Sequence, residues 1–143
     1  MPSNFSLKTM NSVHRALQWI TRGRVGWNMG GMPVIELTTI GRRSGVARTT
    51  MLTSPLREGD AYVVVASRGG DDQHPAWFLN LRDNPRVEAI IEGRPQSAML
   101  ARVATTEERA RMWPIIAQRY SNYAGYQEKT KREIPLVLLE PVV

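Results

Sequence analysis

The chain has 143 residues, a net charge of +6 and no cysteine. That length is enough for one domain with an ordinary buried core. The missing cysteines exclude disulfides, thiolate nucleophiles and thiolate metal sites, and fit a reducing compartment. No apolar run reaches the ~20 residues of a bilayer span and no unbroken apolar stretch marks a signal peptide, so a cytoplasmic protein is expected.

The positive charge is local. Residues 1–57 carry eight basic side chains against the single acid Glu36, which points to a confined anionic partner, with simple solubility as the plainer reading.

Within the first segment, Met10, Val13, Leu17 and Ile20 share one side of a helical wheel and Lys8, Arg15 and Arg22 the other, with Trp19 at the boundary. Such a helix either covers the core or rests on an anionic membrane surface at the inner face of the cell membrane. Gly23, Gly26, Gly30 and Gly31 then mark a hinge or loop. Residues 1–33 thus read as an amphipathic helix with a glycine-rich linker, and residues 34–143 as the domain proper.

Val34–Ile40 is an apolar strand that breaks at Gly41-Arg42-Arg43-Ser44-Gly45 and resumes over Val46–Leu52. This is a hairpin with a cationic tip, in which glycines at both ends permit positive φ and exposed N–H groups beside guanidinium groups. Ala61–Ser67 reads as a fully buried strand, followed by a second basic turn, Arg68-Gly69-Gly70. Pro75 suits the first position of a short helix, Ala76–Arg82, closed by Asn84-Pro85. Arg86–Glu92 and Ser97–Val103 are strands joined through Gly93–Gln96. Thr105 and Glu108 have capping-box spacing and open a helix that Pro114 must kink or interrupt. Ile134–Leu139 is a last strand, with Pro135 placing its start at a sheet edge.

About six strands and two or three helices, without regular alternation, predict a mainly β, α+β fold. The expected form is an antiparallel sheet closed into a small barrel with helices packed outside.

The catalytic inventory is thin. His14 and His74 are the two histidines, and neither sits in a zinc, nucleophile-elbow or phosphate-loop motif, so metal and triad chemistry are not expected. His74 reads as a helix-start residue and Asp71-Asp72 as a solvated loop. An enzyme of this composition would rely on a bound organic cofactor. Tyr120, Tyr123 and Tyr126 recur every three residues, an aromatic stripe that on periodicity alone reads as core.

Glu36–Gly45, Arg48-Thr49-Thr50, Val64–Gly70 and His74–Leu81 resemble the deazaflavin-dependent nitroreductase and F420H2-dependent quinone reductase family. The likeness continues through Thr106–Ala110, Trp113-Pro114, the tyrosines and Ile134-Pro135, covering about residues 34–141. The resemblance implies a split β-barrel related to the FMN-binding one, in actinobacterial reductases that use coenzyme F420. It further implies that Arg42, Arg43, Ser44, Gly45 and Arg48 hold the coenzyme phosphate. Thr49, Thr50 and Met51, with Ser67, Arg68 and Gly69, would border the deazaflavin ring. Pro75, Ala76, Trp77 and Asn80 would close its pocket, and Ser67, Tyr120, Tyr123 and Tyr126 would serve catalysis at the acceptor. Arg43 stands where a lysine is common and Met51 where a proline is common. The implied reaction is hydride transfer to a quinone, nitroaromatic or activated alkene. Separately, a monomer without a nucleic acid partner is expected, and the amphipathic N-terminal pattern suits peripheral membrane contact. An FMN-dependent relative and a non-enzymatic basic module binding an anionic ligand or surface are the alternatives.

Overall fold

The computed structural model describes residues 28–29 and 31–142. The amphipathic helix expected before residue 23 lies outside them. The strands are β1 (Asn28–Met29), β2 (Met32–Ile40), β3 (Ala47–Thr53), β4 (Leu56–Glu58), β5 (Ala61–Val65), β6 (Arg86–Ile91), β7 (Ser97–Val103) and β8 (Leu136–Pro141). The helices are α1 (Ala76–Asp83), α2 (Thr106–Arg119) and α3 (Ser121–Glu128), with a 3-10 turn at Arg68–Gly70. Part of the glycine-rich stretch is therefore a tight hairpin, Met29 pairing with Met32 across Gly31 at φ 81°.

The sheet is antiparallel throughout, in the order β1-β2-β6-β7-β8-β5-β4, with β3 also paired to β2. β3 and β4 are not paired with each other, so the curled sheet stays open at that seam instead of closing into the complete barrel expected from the strand pattern. Eight strands replace about six because β1 and β4 are only two and three residues long, too short to leave a period-2 signature.

Alternation along the strands builds two cores. Tyr62, Val64 and Ala66 of the β5 segment and Val137 and Leu139 of β8 face inward with Ile35, Leu37, Val87, Ala89 and Met99. Their neighbours Val63, Val65, Leu136 and Leu138 face outward under Met112, Ile116, Tyr123 and Ile134. The central strands are apolar on both faces for this reason. Each fully buried aliphatic side chain contributes about 1.5–3 kcal/mol.

Four local expectations are revised. Phe78 and Leu81 of α1 belong to the inner cluster, so this helix plugs the barrel instead of packing outside it. β8 lies between β5 and β7 and is not an edge; Pro135 precedes the strand, where its missing N–H is not needed, and its carbonyl accepts from Ala66. Pro75 is the N-cap of α1, with extended backbone, and Ala76 takes the first helical position. α2 runs through Pro114 to Arg119 without interruption, opened by the capping box of Thr105 and Glu108.

Candidate active site

Because pairing is antiparallel, the end of β2, the start of β3, the end of β5 and the start of β6 meet at one end of the barrel. The two basic turns are there together, with α1 between β5 and β6.

The first turn closes through Gly41 N–H to the Val46 carbonyl and Gly45 N–H to the Gly41 carbonyl, each 2.8 Å. Gly45 has φ 71°. Gly41 does not need positive φ; a Cβ there would fall 2.6 Å from Ser44 Oγ and 3.2 Å from the Val46 carbonyl, so a side chain at this position would displace the Ser44 hydroxyl. Residues 42–49 are exposed. Arg42 is committed: its N–H and its guanidinium both donate to Asn80 Oδ1 at 3.1 Å. Asn80 is buried and its Nδ2 donates to Thr39 Oγ1 at 3.2 Å. Asn80 therefore pins the hairpin tip to α1 and β2. The side chains of Arg43 and Arg48 make no hydrogen bond or ion pair among the described residues and remain the available cations.

β3 separates its residues by face. Thr49 and Met51 stand opposite Thr38 and Glu36, whereas Thr50 and Leu52 stand opposite the inward Leu37 and Ile35. Thr49 shares a 2.9 Å hydroxyl contact with Thr38, and Met51 is buried. Thr50 and Met51, both expected beside the ring, thus project to opposite sides, as the strand period of two requires.

The second turn carries three consecutive left-handed residues, Arg68 (φ 48°), Gly69 (φ 65°) and Gly70 (φ 86°). Its guanidinium is not open to solvent as a basic turn would suggest: Arg68 is folded back onto Gln73 Oε1 at 3.2 Å and Asp71 at 3.9 Å. Ser67 is buried at the start of the turn. Pro75 is buried, Ala76 exposed, and Trp77 packs partly against the inner cluster.

α3 packs on this turn. A Cβ on Gly70 would meet the Tyr126 carbonyl at 2.8 Å, so the backbones of turn and helix touch. The tyrosine rings form an edge-to-face series, Tyr120 to Tyr123 at 6.4 Å and Tyr123 to Tyr126 at 6.0 Å between centroids. Tyr123 is buried and its hydroxyl lies 3.1 Å from Thr53 Oγ1 and 3.6 Å from Met32 Sδ. Burial raises its pKa, so it stays protonated. Tyr120 and Tyr126 are half-buried.

Sequence reasoning missed Arg132. It sits in Lys129-Thr130-Lys131-Arg132, which looks like a solvated charge run, yet its guanidinium reaches the carbonyls of Ala66, Ser67 and Asp71 and the ring of His74. Gln127 was missed as well: it accepts from Ile134 N–H and donates to the Arg132 carbonyl. His74, two residues before α1, stacks on Phe78. Burial, then Arg132 and Arg82, lower its pKa, so the ring is neutral near pH 7.

Among the described residues no cluster of His, Asp or Glu could hold a metal ion, and no helix is long and apolar enough to cross a membrane. A cavity of about 270 Å³ bordered by Arg57, Tyr62, Arg94, Ser97 and Met99 opens at the opposite end of the barrel; none of the expected site residues lines it.

Residues 11–141 match the model of the F420H(2)-dependent quinone reductase family. An F420H(2)-dependent quinone reductase of Mycobacterium tuberculosis is 39% identical over 131 residues, 89% of this chain and 87% of that protein. A solved F420-H2 dependent reductase is 36% identical, covering 76% of this chain and 94% of its own, with a TM-score of 0.63. A second solved chain, described as a domain-swapped dimer, is 33% identical over 92% of this chain and 99% of its own, with a TM-score of 0.64. The family match runs from within the N-terminal segment almost to the last residue, over a split barrel whose basic and glycine turns share one end: the chain belongs to the F420H(2)-dependent quinone reductase family, oxidoreductases that use the reduced deazaflavin coenzyme F420.

Proposed function

We propose that this chain reduces quinone-class acceptors with F420H2, holding the coenzyme phosphate at the Arg43, Ser44 and Arg48 tip and the ring system beside the Ser67–Gly70 turn. The observation that carries this reading is the exposed hairpin tip whose Arg43 and Arg48 have no protein partner among the described residues, fixed by Asn80 at the same barrel end as a glycine turn touching α3. The donor set fits a phosphate: two guanidinium groups, the Ser44 hydroxyl and a tight turn closed between Gly41 and Val46.

When bound, the coenzyme supplies hydride transfer to an electron-poor acceptor. The residues of the chain bind, orient and shield. Arg43 and Arg48 neutralise phosphate and the acidic tail, and Arg42 serves through Asn80 to keep the tip in place. Gly69 allows backbone to approach a flat ring without side-chain obstruction, while Gly70 lets the turn close on α3. Tyr120 and Tyr126, half-buried, form the acceptor wall and provide hydroxyls for orientation or protonation, and Tyr123, whose hydroxyl already serves Thr53 and Met32, holds that wall in position. Nitroaromatics and activated alkenes share the electron-poor character and belong to the same acceptor class.

A monomer is the proposed working unit, with no nucleic acid partner. A quinone dissolved in a bilayer also suits peripheral contact through Lys8–Arg22, and that reading rests on the amphipathic pattern alone. Titration with F420 and, separately, FMN, followed by assay of F420H2 oxidation against benzoquinone, naphthoquinone and nitroaromatic acceptors, tests the proposal. Preferential binding of F420 and turnover with quinones is expected; FMN binding without F420 binding would refute it.

A further inference from the structure

We propose that Arg132 is a positioning residue for the coenzyme site, a single guanidinium that sets the Ser67–Gly70 turn against α3. Its Nε donates to the Asp71 carbonyl at 2.9 Å, and one terminal nitrogen donates to the carbonyls of Ser67 at 2.9 Å and Ala66 at 3.2 Å. The other terminal nitrogen reaches the Ala66 carbonyl at 3.3 Å and His74 Nδ1 at 3.1 Å. Guanidinium only donates, so His74 Nδ1 is the acceptor and the proton of the neutral ring is on Nε2. One planar fork thus ties both ends of the turn and the residue before Pro75.

The turn needs this support. Its three residues at positive φ include one non-glycine, Arg68, and such a conformation persists only where the surroundings hold it. Within the turn, Gly70 and Asp71 N–H donate to the carbonyls of Ser67 and Arg68. With the carbonyls of Ala66, Ser67 and Asp71 gathered on the Arg132 side, the N–H groups of Arg68 and Gly69, unbonded among the described residues, are left as donors for a bound ring. Arg132 itself is anchored, its N–H donating to Thr130 Oγ1 at 3.3 Å and its carbonyl accepting from Gln127 at 2.7 Å. It thereby couples the end of α3, which carries the tyrosines, to the turn on which Gly70 meets Tyr126.

This inference rests on the reading that the turn borders the ring system. Lysine keeps the charge but has one donor nitrogen and cannot span three carbonyls and an imidazole. In the full chain, Arg132→Lys is expected to raise the Kd for F420 on the order of 10-fold or more, with circular dichroism intact. A Kd within about twofold of the parent, whatever the melting temperature, overturns the proposal. Should Arg132→Lys not fold, His74→Leu removes one acceptor and leaves the carbonyl contacts; it is expected to raise the Kd on the order of threefold, and an unchanged Kd overturns the proposal. Arg43→Ala run in parallel separates the two claims. If Arg43→Ala weakens F420 binding and Arg132→Lys does not, only the Arg132 role falls. If both bind F420 as the parent does, the coenzyme placement falls and the Arg132 role with it.

Discussion

Asn80 Oδ1 accepts two hydrogen bonds from Arg42, one from the backbone N–H and one from the guanidinium, each at 3.1 Å. This pair joins the plug helix to the hairpin tip across 38 positions of sequence, and makes the geometry of the phosphate-binding turn depend on a buried amide. Asn80→Ala leaves the Arg42 N–H and Thr39 hydroxyl without their partner. It is expected to cost about 1–3 kcal/mol of stability and to weaken F420 binding, read by thermal melts and coenzyme titration. Asn80→Asp keeps the acceptor for Arg42 and should preserve coenzyme binding better than Asn80→Ala.

Arg43 is exposed and has no partner in the described protein, so its removal should be silent for folding. Arg43→Ala is expected to weaken F420 binding on the order of 10- to 100-fold, through loss of a charge-assisted contact of about 1.5–3 kcal/mol. Equilibrium titration of the variant checks this, with a melting curve as the control.

The tyrosines separate by burial. Tyr123→Phe removes the hydroxyl between Thr53 and Met32 and is expected to lower stability by about 1–2 kcal/mol. Tyr126→Phe, at a half-buried position, should leave stability within about 0.5 kcal/mol and lower turnover or shift acceptor preference. Melts and steady-state rates on both variants decide; the reverse pattern would exchange the two roles.

Gly70 combines φ 86° with a virtual Cβ 2.8 Å from the Tyr126 carbonyl. Gly70→Ala must therefore strain the turn or push α3 away. A loss of more than about 1 kcal/mol is expected, together with reduced F420 affinity.

The capping box gives a pH signature. Glu108 accepts from Thr105 N–H at 2.9 Å and pairs with Arg102. The Arg102 hydrogen bond, then that of Thr105, pulls its carboxyl down to about 2 from an ordinary 4.5. The folded-state value is depressed, so the stabilisation is complete above about 4.5 and is lost as pH falls towards 2. Side-chain exposures of 42% for Arg102 and 21% for Glu108 keep it near ~1 kcal/mol. The melting temperatures of the parent and Glu108→Gln should differ at pH 7 and converge as pH falls from about 4.5 towards 2.

The antiparallel elements were legible because their signals are local: alternation in β6, an unbroken apolar β5, and a capping box before α2. The open seam was not, because closure depends on whether β3 and β4 meet, which no strand records in its own residues. The cationic tip was visible as paired arginines between glycines, but the division of labour between them was not. Arg42 and Arg43 are neighbours of one type, and only the distant Asn80 distinguishes them. Arg132 was invisible for the same reason: its acceptors are backbone carbonyls, which every residue possesses. The likeness by motif began near residue 34, whereas the family match starts at residue 11.

Anaerobic mixing of the full chain with F420H2 and a benzoquinone tests the central claim most directly. The account predicts catalysed loss of the reduced coenzyme, one equivalent for each equivalent of quinol formed, with a rate that saturates in F420H2 and a coenzyme KM raised on the order of 10-fold or more by Arg43→Ala. No acceleration over the uncatalysed mixture by folded protein, or turnover whose coenzyme KM is indifferent to Arg43, would contradict it.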